Sequence, residues 1–244
     1  MTQRYMLLTG ASRGIGHATV KLFLEKGWRV LTVSRQPFSE ECRWPSARES
    51  HLQADLADLS QIDRLVAEVR ERLDGAALHA LVNNAGISPK GPDGARLGVL
   101  DSDATTWTTV LNVNLVSIAL LARALLPELE AAQGSIVNVT SIAGSRVHPF
   151  AGVAYAASKA GLAALTREIA HEFGSHGVRA NAIAPGEIAT SILSPGTDLL
   201  VETNVPMRRL GTPLEVAETI HFLCSEKSAY INGAEIHING GQHV

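Results

Sequence analysis

Residues 5–16 read Y-M-L-L-T-G-A-S-R-G-I-G, and this stretch decides how the rest of the chain is interpreted. The apolar run at its start predicts a buried β-strand, and a helical pattern begins near Ile15. The turn between them contains three glycines, Gly10, Gly14 and Gly16. Glycines let backbone N–H groups approach an anion, and a helix N-terminus adds positive partial charge. The spacing departs from G-x-G-x-x-G, so a purely structural turn is the alternative to a phosphate site.

Strands and helices alternate along the remaining sequence. Most of the expected strands are apolar without alternation, which is typical of a parallel sheet covered on both faces. The expected strands are residues 5–9, 28–33, 52–54, 78–82, 135–139, 178–183 and 234–238. Helices are expected over about 15–26, 59–73, 104–132, 153–173 and from 213 onward, with a surface excursion over 87–103 and an irregular segment to about 211. The sequence therefore predicts one doubly wound α/β domain of the Rossmann type, with about seven parallel strands, over residues 1–244.

Composition limits the classes of function. The chain has 244 residues, is 45% hydrophobic and carries a formal net charge of -3, which fits one soluble domain. Neither nucleic acid nor a membrane is expected as a partner, because no basic patch stands out and the apolar stretch 115–126 is short and contains Arg123. Cys42 and Cys224 lack metal or disulfide spacing, and no signal peptide is visible, so a reduced, cytoplasmic location is expected and no metal.

Residues 153–168 read V-A-Y-A-A-S-K-A-G-L-A-A-L-T-R-E and favour a helix. Tyr155 and Lys159 are four residues apart, so they lie on one side of it. A cation close to a phenol favours the phenolate, which lowers the pKa of the phenol and allows proton transfer near neutral pH. The alternative is a surface helix with an ordinary tyrosine and an ordinary lysine, because this spacing often occurs by chance.

Four further features follow expected strands or interrupt a helix, and each has an ordinary explanation. The run N-N-A-G begins at Asn83, where small residues leave room for a ligand and asparagines can brace loops, but such turns are common. Ser141 follows the fifth strand and is either a substrate hydrogen-bond donor or a loop hydroxyl. Asn114 is unfavourable in a helix, which indicates a buried hydrogen bond. The run P-G-E-I-A-T begins at Pro185 after the sixth strand.

In this order, these features resemble the short-chain dehydrogenase/reductase family in its compact single-domain form, and the likeness covers almost the whole chain. The resemblance implies a nicotinamide dinucleotide and reversible hydride transfer between a carbonyl and an alcohol. It implies that Tyr155 is the general acid in reduction and the base in oxidation, that Lys159 holds the nicotinamide ribose and depresses the pKa of Tyr155, that Ser141 binds the substrate oxygen, and that Asn114 holds a water linked to Lys159. The interval from Ser141 to Tyr155 is about one residue longer than in the family, so its loop is expected to bulge.

The cofactor residues are carried over from the same resemblance. They are Gly10, Ser12, Arg13, Gly14, Ile15, Gly16, Ser34, Arg35, Asp55, Leu56, Asn83, Ala85, Gly86, Tyr155, Lys159, Pro185, Gly186, Ile188 and Thr190. No acid follows the second strand before Glu40, whereas Arg35 and Arg13 are permanent cations suited to a 2′-phosphate. NADP(H) is therefore favoured, and NAD(H), with two solvated arginines, is the alternative.

The substrate is a small carbonyl or alcohol whose identity the sequence does not give. The loops expected to wall the cleft contain six basic residues, Lys90, Arg96, Arg146, His148, Arg208 and Arg209, so an anionic substrate is one hypothesis and solvated side chains the other. The two long helices, near 114–132 and 151–173, are the family's usual oligomer surface, which implies a homotetramer. A dinucleotide-binding regulator without turnover is the competing class, but it would require loss of Ser141, Tyr155 or Lys159.

Overall fold

A computed structural model describes residues 3–37, 49–190, 193–194 and 196–244. The polar stretch around Pro45, with Glu40 and Cys42, lies outside the described residues.

The described chain contains a seven-stranded parallel sheet, as the sequence predicts. Its strands are β1 (Tyr5–Thr9), β2 (Arg29–Ser34), β3 (His51–Gln53), β4 (Ala80–Asn83), β5 (Ser135–Val139), β6 (Arg179–Pro185) and β7 (Glu235–Ile238). Their order in the sheet is β3-β2-β1-β4-β5-β6-β7. The order reverses between β1 and β4, and the crevice outside such a switch point is where ligands bind in doubly wound sheets.

Eight α-helices connect and cover the strands of the described chain. They are α1 (Gly14–Glu25), α2 (Ile62–Leu73), α3 (Ala104–Leu111), α4 (Ser117–Ala124), α5 (Leu126–Ala131), α6 (Val153–Gly174), α7 (Thr197–Asn204) and α8 (Pro213–Leu223). The expectation of an irregular segment as far as residue 211 was wrong at α7. That helix contains only one buried aliphatic side chain, Val201, so its sequence shows little of the apolar periodicity that marks a helix.

The region expected to be one long helix is interrupted. A π-helical segment, Asn112–Val116, separates α3 from α4, and Pro127 lies in the first turn of α5. The continuous helical run Ala104–Ala124 has 21 residues and a mean hydropathy of 1.4. It is longer than the apolar stretch 115–126 and, by length and composition alone, could cross a membrane. Within one chain it packs against α2 and α6.

Two apolar cores lie on opposite faces of the sheet. Side chains from α2, α4 and α6 form one, around Leu65, Leu121 and Ile169. Side chains from α1 and α8 form the other, around Phe23 and Ile220. The sheet is therefore buried on both faces, and only its ends and loops remain for a site.

Side-chain caps precede two of the helical segments. The Thr212 hydroxyl accepts from the Glu215 N–H, and the Glu215 carboxylate accepts from the Thr212 N–H, which forms a capping box before α8. The Asp58 carboxylate accepts from the Ser60 N–H, and Gln61 donates to it, but the turn that it caps is a 3₁₀ segment that leads into α2.

Candidate active site

The glycine-rich turn lies against the end of β4. Thr9 pairs with Asn83 at the carboxyl ends of β1 and β4, so the loops that follow them are neighbours. Gly10 has φ +76°, and a Cβ there would lie 2.8 Å from the Cα of Ala85. A Cβ on Gly16 would lie 2.1 Å from the carbonyl oxygen of Gly10. Both glycines are needed for the close approach of two backbones.

Asn84 braces this turn, and it is absent from the cofactor residues that the resemblance supplies. Its side-chain amide donates to the carbonyls of Gly10 (2.8 Å) and Thr9 (3.1 Å). The Thr9 hydroxyl accepts from the N–H groups of Asn84 and Ala85. Asparagine as a brace between loops was an expectation from the N-N-A-G run, and Asn84 fulfils it.

The neighbouring Asn83 has a different environment. Its amide donates to the side-chain oxygen of Asn138 at 2.8 Å, and Asn138 in turn donates to Thr166. These three side chains are buried within the sheet and under α6. The Asn83 side chain therefore links strands, and any contact with a cofactor would have to come from its backbone.

The start of α1 fits the pyrophosphate of a dinucleotide. Arg13 is the N-cap residue, but its side chain accepts no hydrogen bond from the first turn, and that turn has no acidic residue. Thr212 and Asp103, by contrast, cap α8 and α3 with their side chains. N–H groups at an uncapped N-terminus, beside a turn too tight for side chains, bind anions. Exposed Ser12 and half-buried Ile15 flank this position.

A cavity of about 550 Å³ opens beside the turn. Its lining residues are Gly14, His17, Ala18, Ala189, Thr190, Leu193 and Pro213. It runs between the start of α1 and the loop after β6, where a Cβ on Gly14 would lie 3.1 Å from Thr190. Neither Ser141 nor Tyr155 lines it, so this cavity is separate from the candidate proton-transfer groups.

The ends of β2 and β3 form the far side of the cleft. Arg35 and Arg13 are exposed, and neither forms a salt bridge with the described residues. The Ser34 hydroxyl donates to the carbonyl of Gln36. The Asp55 carboxylate accepts from the N–H of Ala57 at 3.0 Å, which leaves its second oxygen for a ligand. Leu56 is buried in the core, so its side chain supports this loop.

The Lys159 side chain is buried beside the loop after β4, which contains Gly86, and beside the end of β5. It is 3% exposed, and its Nζ donates to the Val139 carbonyl at 2.6 Å. A Cβ on Gly86 would lie 3.3 Å from this Nζ, so the glycine makes room for the ammonium. Burial lowers the pKa of Lys159 to about 8. Burial of the Lys159 ammonium therefore costs desolvation free energy, and a polar ligand beside it would offset part of that cost.

Tyr155 and Ser141 come together as the resemblance implies. The Ser141 hydroxyl interacts with the phenol and lowers the pKa of Tyr155. Burial outweighs it and raises that pKa, with a further rise caused by the negative charge of Glu187. The expected depression of the Tyr155 pKa by Lys159 is thus wrong for the protein without ligands. The Lys159 ammonium lies 5.6 Å from the centre of the phenol ring and is bound to Val139 instead.

Asn114 lies fully buried within the π-helical segment. Its oxygen accepts from the Ile87 N–H at 2.9 Å, and its amide donates to the Ile87 carbonyl and to the Ser158 hydroxyl, both at 3.0 Å. Ser158 in turn donates to the Tyr155 carbonyl. The side chain therefore joins the loop after β4 to α6, and one lone pair on its oxygen is left for the expected water. The predicted buried hydrogen bond is confirmed.

The loop after β6 turns back across the cleft. Pro185 ends β6, and the N–H of Gly186 donates to the Ile238 carbonyl at 3.0 Å. A Cβ on Gly186 would lie 2.6 Å from Asn239, so only glycine fits. Ile188 is buried in the core near α8, which holds Thr190 over the start of α1.

The basic residues around the cleft have partners of their own, which weakens the hypothesis of an anionic substrate. Five of the six are bound to other groups of this chain. Lys90 contacts the Phe150 carbonyl, Arg96 contacts the Ala151 carbonyl, and Arg146 contacts the Gln242 carbonyl. His148 contacts the Glu187 carboxylate, and Arg209 contacts the Glu215 carboxylate. Two of these contacts tie the loop before α6 to the surface excursion. Val147 in that loop is 82% exposed.

Comparisons with known proteins agree with this geometry. Residues 10–243 match the family model described as enoyl-(acyl carrier protein) reductase. The chain is 59% identical to Protein FixR of Bradyrhizobium diazoefficiens, over 99% of this chain and 87% of FixR. It is 32% identical to the 3-oxoacyl-[acyl-carrier-protein] reductase FabG of Staphylococcus aureus, over 98% of this chain and 97% of FabG.

Solved structures of similar fold and sequence point to the same family. A short-chain dehydrogenase/reductase family oxidoreductase from Brucella ovis, in complex with a partially ordered NAD, has a TM-score of 0.85 and 55% identity, over 98% of this chain and 100% of that one. A 3-oxoacyl-[acyl-carrier protein] reductase with bound NAD from Brucella melitensis has a TM-score of 0.88 and 33% identity, over 100% of this chain and 92% of that one. The order of the motifs, the seven-stranded sheet and these matches together establish that the chain belongs to the short-chain dehydrogenase/reductase family of oxidoreductases.

Proposed function

We propose that the protein interconverts a carbonyl and an alcohol with a nicotinamide cofactor, using Tyr155 as the general acid and base. The observation that carries this proposal is the grouping of Tyr155, Ser141 and Lys159 beside the loop after β4, with the glycine-rich turn next to that loop. When bound, the nicotinamide supplies or accepts the hydride.

The side chains of the protein supply positioning and the proton. The Tyr155 phenol is protonated at neutral pH and therefore has a proton to donate to a carbonyl oxygen during reduction, but its raised pKa makes it a weaker acid than a free tyrosine. The Ser141 hydroxyl is close enough to the phenol to influence its pKa, so both hydroxyls can donate to the same substrate oxygen. Lys159 supplies positive charge below the site and can exchange the Val139 carbonyl for ribose hydroxyls.

NADP(H) is the proposed cofactor, with NAD(H) as the competitor. Two exposed arginines without salt bridges among the described residues, Arg13 and Arg35, support a 2′-phosphate. The solved relatives named above contain NAD, which favours the competitor. The ratio of kcat/KM for the two cofactors, measured from absorbance of the reduced form against a carbonyl panel, decides between them. Arg35→Ala should lower that ratio at least about tenfold if the guanidinium binds the phosphate, and an unchanged ratio would assign the protein to NAD(H).

A cytoplasmic homotetramer remains part of the proposal. The helical run Ala104–Ala124 is apolar, yet only 33% of it is buried within one chain, so an apolar face is left for another subunit. Light scattering at several protein concentrations tests this assembly, and a monomer at all of them would contradict it.

A further inference from the structure

A buried hydrogen bond joins the two loops that flank Tyr155. The Nε2 of His148, in the loop after β5, lies 2.6 Å from Oε1 of Glu187, in the loop after β6. The side chains are only 11% and 10% exposed. The Phe150 N–H donates to Nδ1 of His148 at 3.3 Å, so Nε2 carries the proton that is donated to the carboxylate. The imidazole therefore fixes the orientation of Glu187.

The backbone on both sides of Glu187 is also held. Its carbonyl accepts from the N–H of Gly211 at 2.9 Å, and the preceding residue, Gly186, is bonded to Ile238. The following residue, Ile188, is buried. A carboxylate fixed in this way costs desolvation free energy that a single hydrogen bond does not offset, which points to a use beyond stability.

Glu187 follows β6 and Ser141 follows β5, and because these two strands are neighbours in the sheet, the two residues lie at the same edge of it. The negative charge of Glu187 is also one of the causes of the raised Tyr155 pKa. The carboxylate keeps one acceptor unused. His148 occupies Oε1, while Oε2 accepts no hydrogen bond from the described residues. The other groups that face the phenol are the Ser141 hydroxyl and, from α6, the Lys159 ammonium, which is bound to Val139. A substrate oxygen held by Tyr155 and Ser141 would thus lie beside an unused carboxylate oxygen.

We propose that Glu187, oriented by His148, recognises substrates that carry an O–H or N–H donor next to the reacting carbon and rejects those with a carboxylate there. This recognition rests on the proposed function of the site. The shared chemistry is hydrogen-bond donation to Oε2, and an ammonium group adds charge attraction to it. The basic side chains of Arg96, Arg146 and Arg209 are bound to other groups of this chain, so they do not neutralise the Glu187 carboxylate.

The kinetic test uses one carbon framework, CH₃–CH(OH)–CH₂–X, with four probes. They are 1-amino-2-propanol, 1,2-propanediol, 2-butanol and 3-hydroxybutyrate. The wild type should oxidise the first two with kcat/KM at least about tenfold above that for 2-butanol, and 3-hydroxybutyrate least well. Glu187→Gln should bring the kcat/KM values of all four probes within about threefold of one another, mainly through KM. His148→Ala should move selectivity in the same direction. The matched control is Glu202→Gln, which removes the charge of an exposed carboxylate on α7 and should keep wild-type selectivity. Equal selectivity in Glu187→Gln and the wild type would overturn the proposal.

A second readout needs no turnover. Ultraviolet titration of the phenol, with the Tyr155→Phe protein as the blank, should show the Tyr155 pKa falling by roughly 0.5 to 1 unit in Glu187→Gln and not in Glu202→Gln. An unchanged Tyr155 pKa in Glu187→Gln would show that the carboxylate does not face the phenol and would overturn the proposal. If the wild type oxidises none of the probes and reduces no carbonyl, the proposed function fails. Calorimetric titration with 1-amino-2-propanol at pH 7 then decides the role of Glu187, because the ammonium should bind the wild type at least about tenfold more tightly than Glu187→Gln.

Discussion

Replacing Lys159 by Met should stabilise the protein while removing its activity. Burial lowers the pKa of this lysine from 10.5 to about 8, a shift that corresponds to roughly 3 kcal/mol of unfolding free energy lost to the buried charge at pH 7. Met fills nearly the same volume but gives up the hydrogen bond to Val139, which costs about 1 kcal/mol. The variant should therefore gain about 2 kcal/mol at pH 7.

The gain should depend on pH with a definite sign. Between pH 8 and 10.5 the unfolded state keeps the lysine proton and the folded state releases it, so the wild type gains stability as the pH rises. The advantage of Lys159→Met should shrink to near zero at about pH 10. Urea unfolding followed by tryptophan fluorescence, at one protein concentration and without cofactor, measures both effects. Lys21→Met, on the exposed face of α1, is the control and should change stability little. A Lys159→Met protein no more stable than the wild type at pH 7, or an offset constant from pH 7 to 10, would refute the reasoning.

Three further substitutions alter residues that hold the glycine-rich turn or the start of α8 in place. Gly16→Ala should cost about 1–3 kcal/mol of stability and weaken cofactor binding, because its Cβ meets the Gly10 carbonyl; calorimetric titration with unchanged affinity would contradict this. Asn84→Ala should weaken cofactor binding at least about tenfold with unchanged secondary structure by circular dichroism, since the turn loses two hydrogen bonds; wild-type affinity would show that the brace is dispensable. Thr212→Ala should lower the free energy of unfolding in urea by about 1 kcal/mol and leave turnover intact, whereas a loss of turnover would place α8 in the site.

The sequence predicted the elements whose signals are local. The strand–turn–helix at residues 5–16, the capping box at Thr212 and the boundaries of β5 all follow from patterns within a few residues. The seven-stranded parallel sheet follows from the alternation of apolar strands and helices. The helix α7 could not be predicted in the same way, because it presents few apolar residues to the core.

The site was harder to predict where long-range contacts decide the chemistry. Proximity of Tyr155 and Lys159 follows from helical spacing, but the destination of the lysine ammonium does not, because Val139 belongs to a strand 20 residues away. The pKa of Tyr155 was misjudged for the same reason, since burial and Glu187 are tertiary effects. The six basic residues indicated an anionic ligand only as long as their partners were unknown.

Tyr155 is proposed to transfer the proton in the reaction, while the remaining cofactor-binding residues supply most of the affinity for the cofactor. The most direct measurement compares Tyr155→Phe with the wild type, following absorbance of the reduced cofactor with the best carbonyl of the panel and cofactor affinity by calorimetric titration. The account predicts that kcat falls by about 10² to 10⁴ while the cofactor dissociation constant stays within about threefold. A Phe variant that turns over at the wild-type rate with the cofactor bound would contradict it.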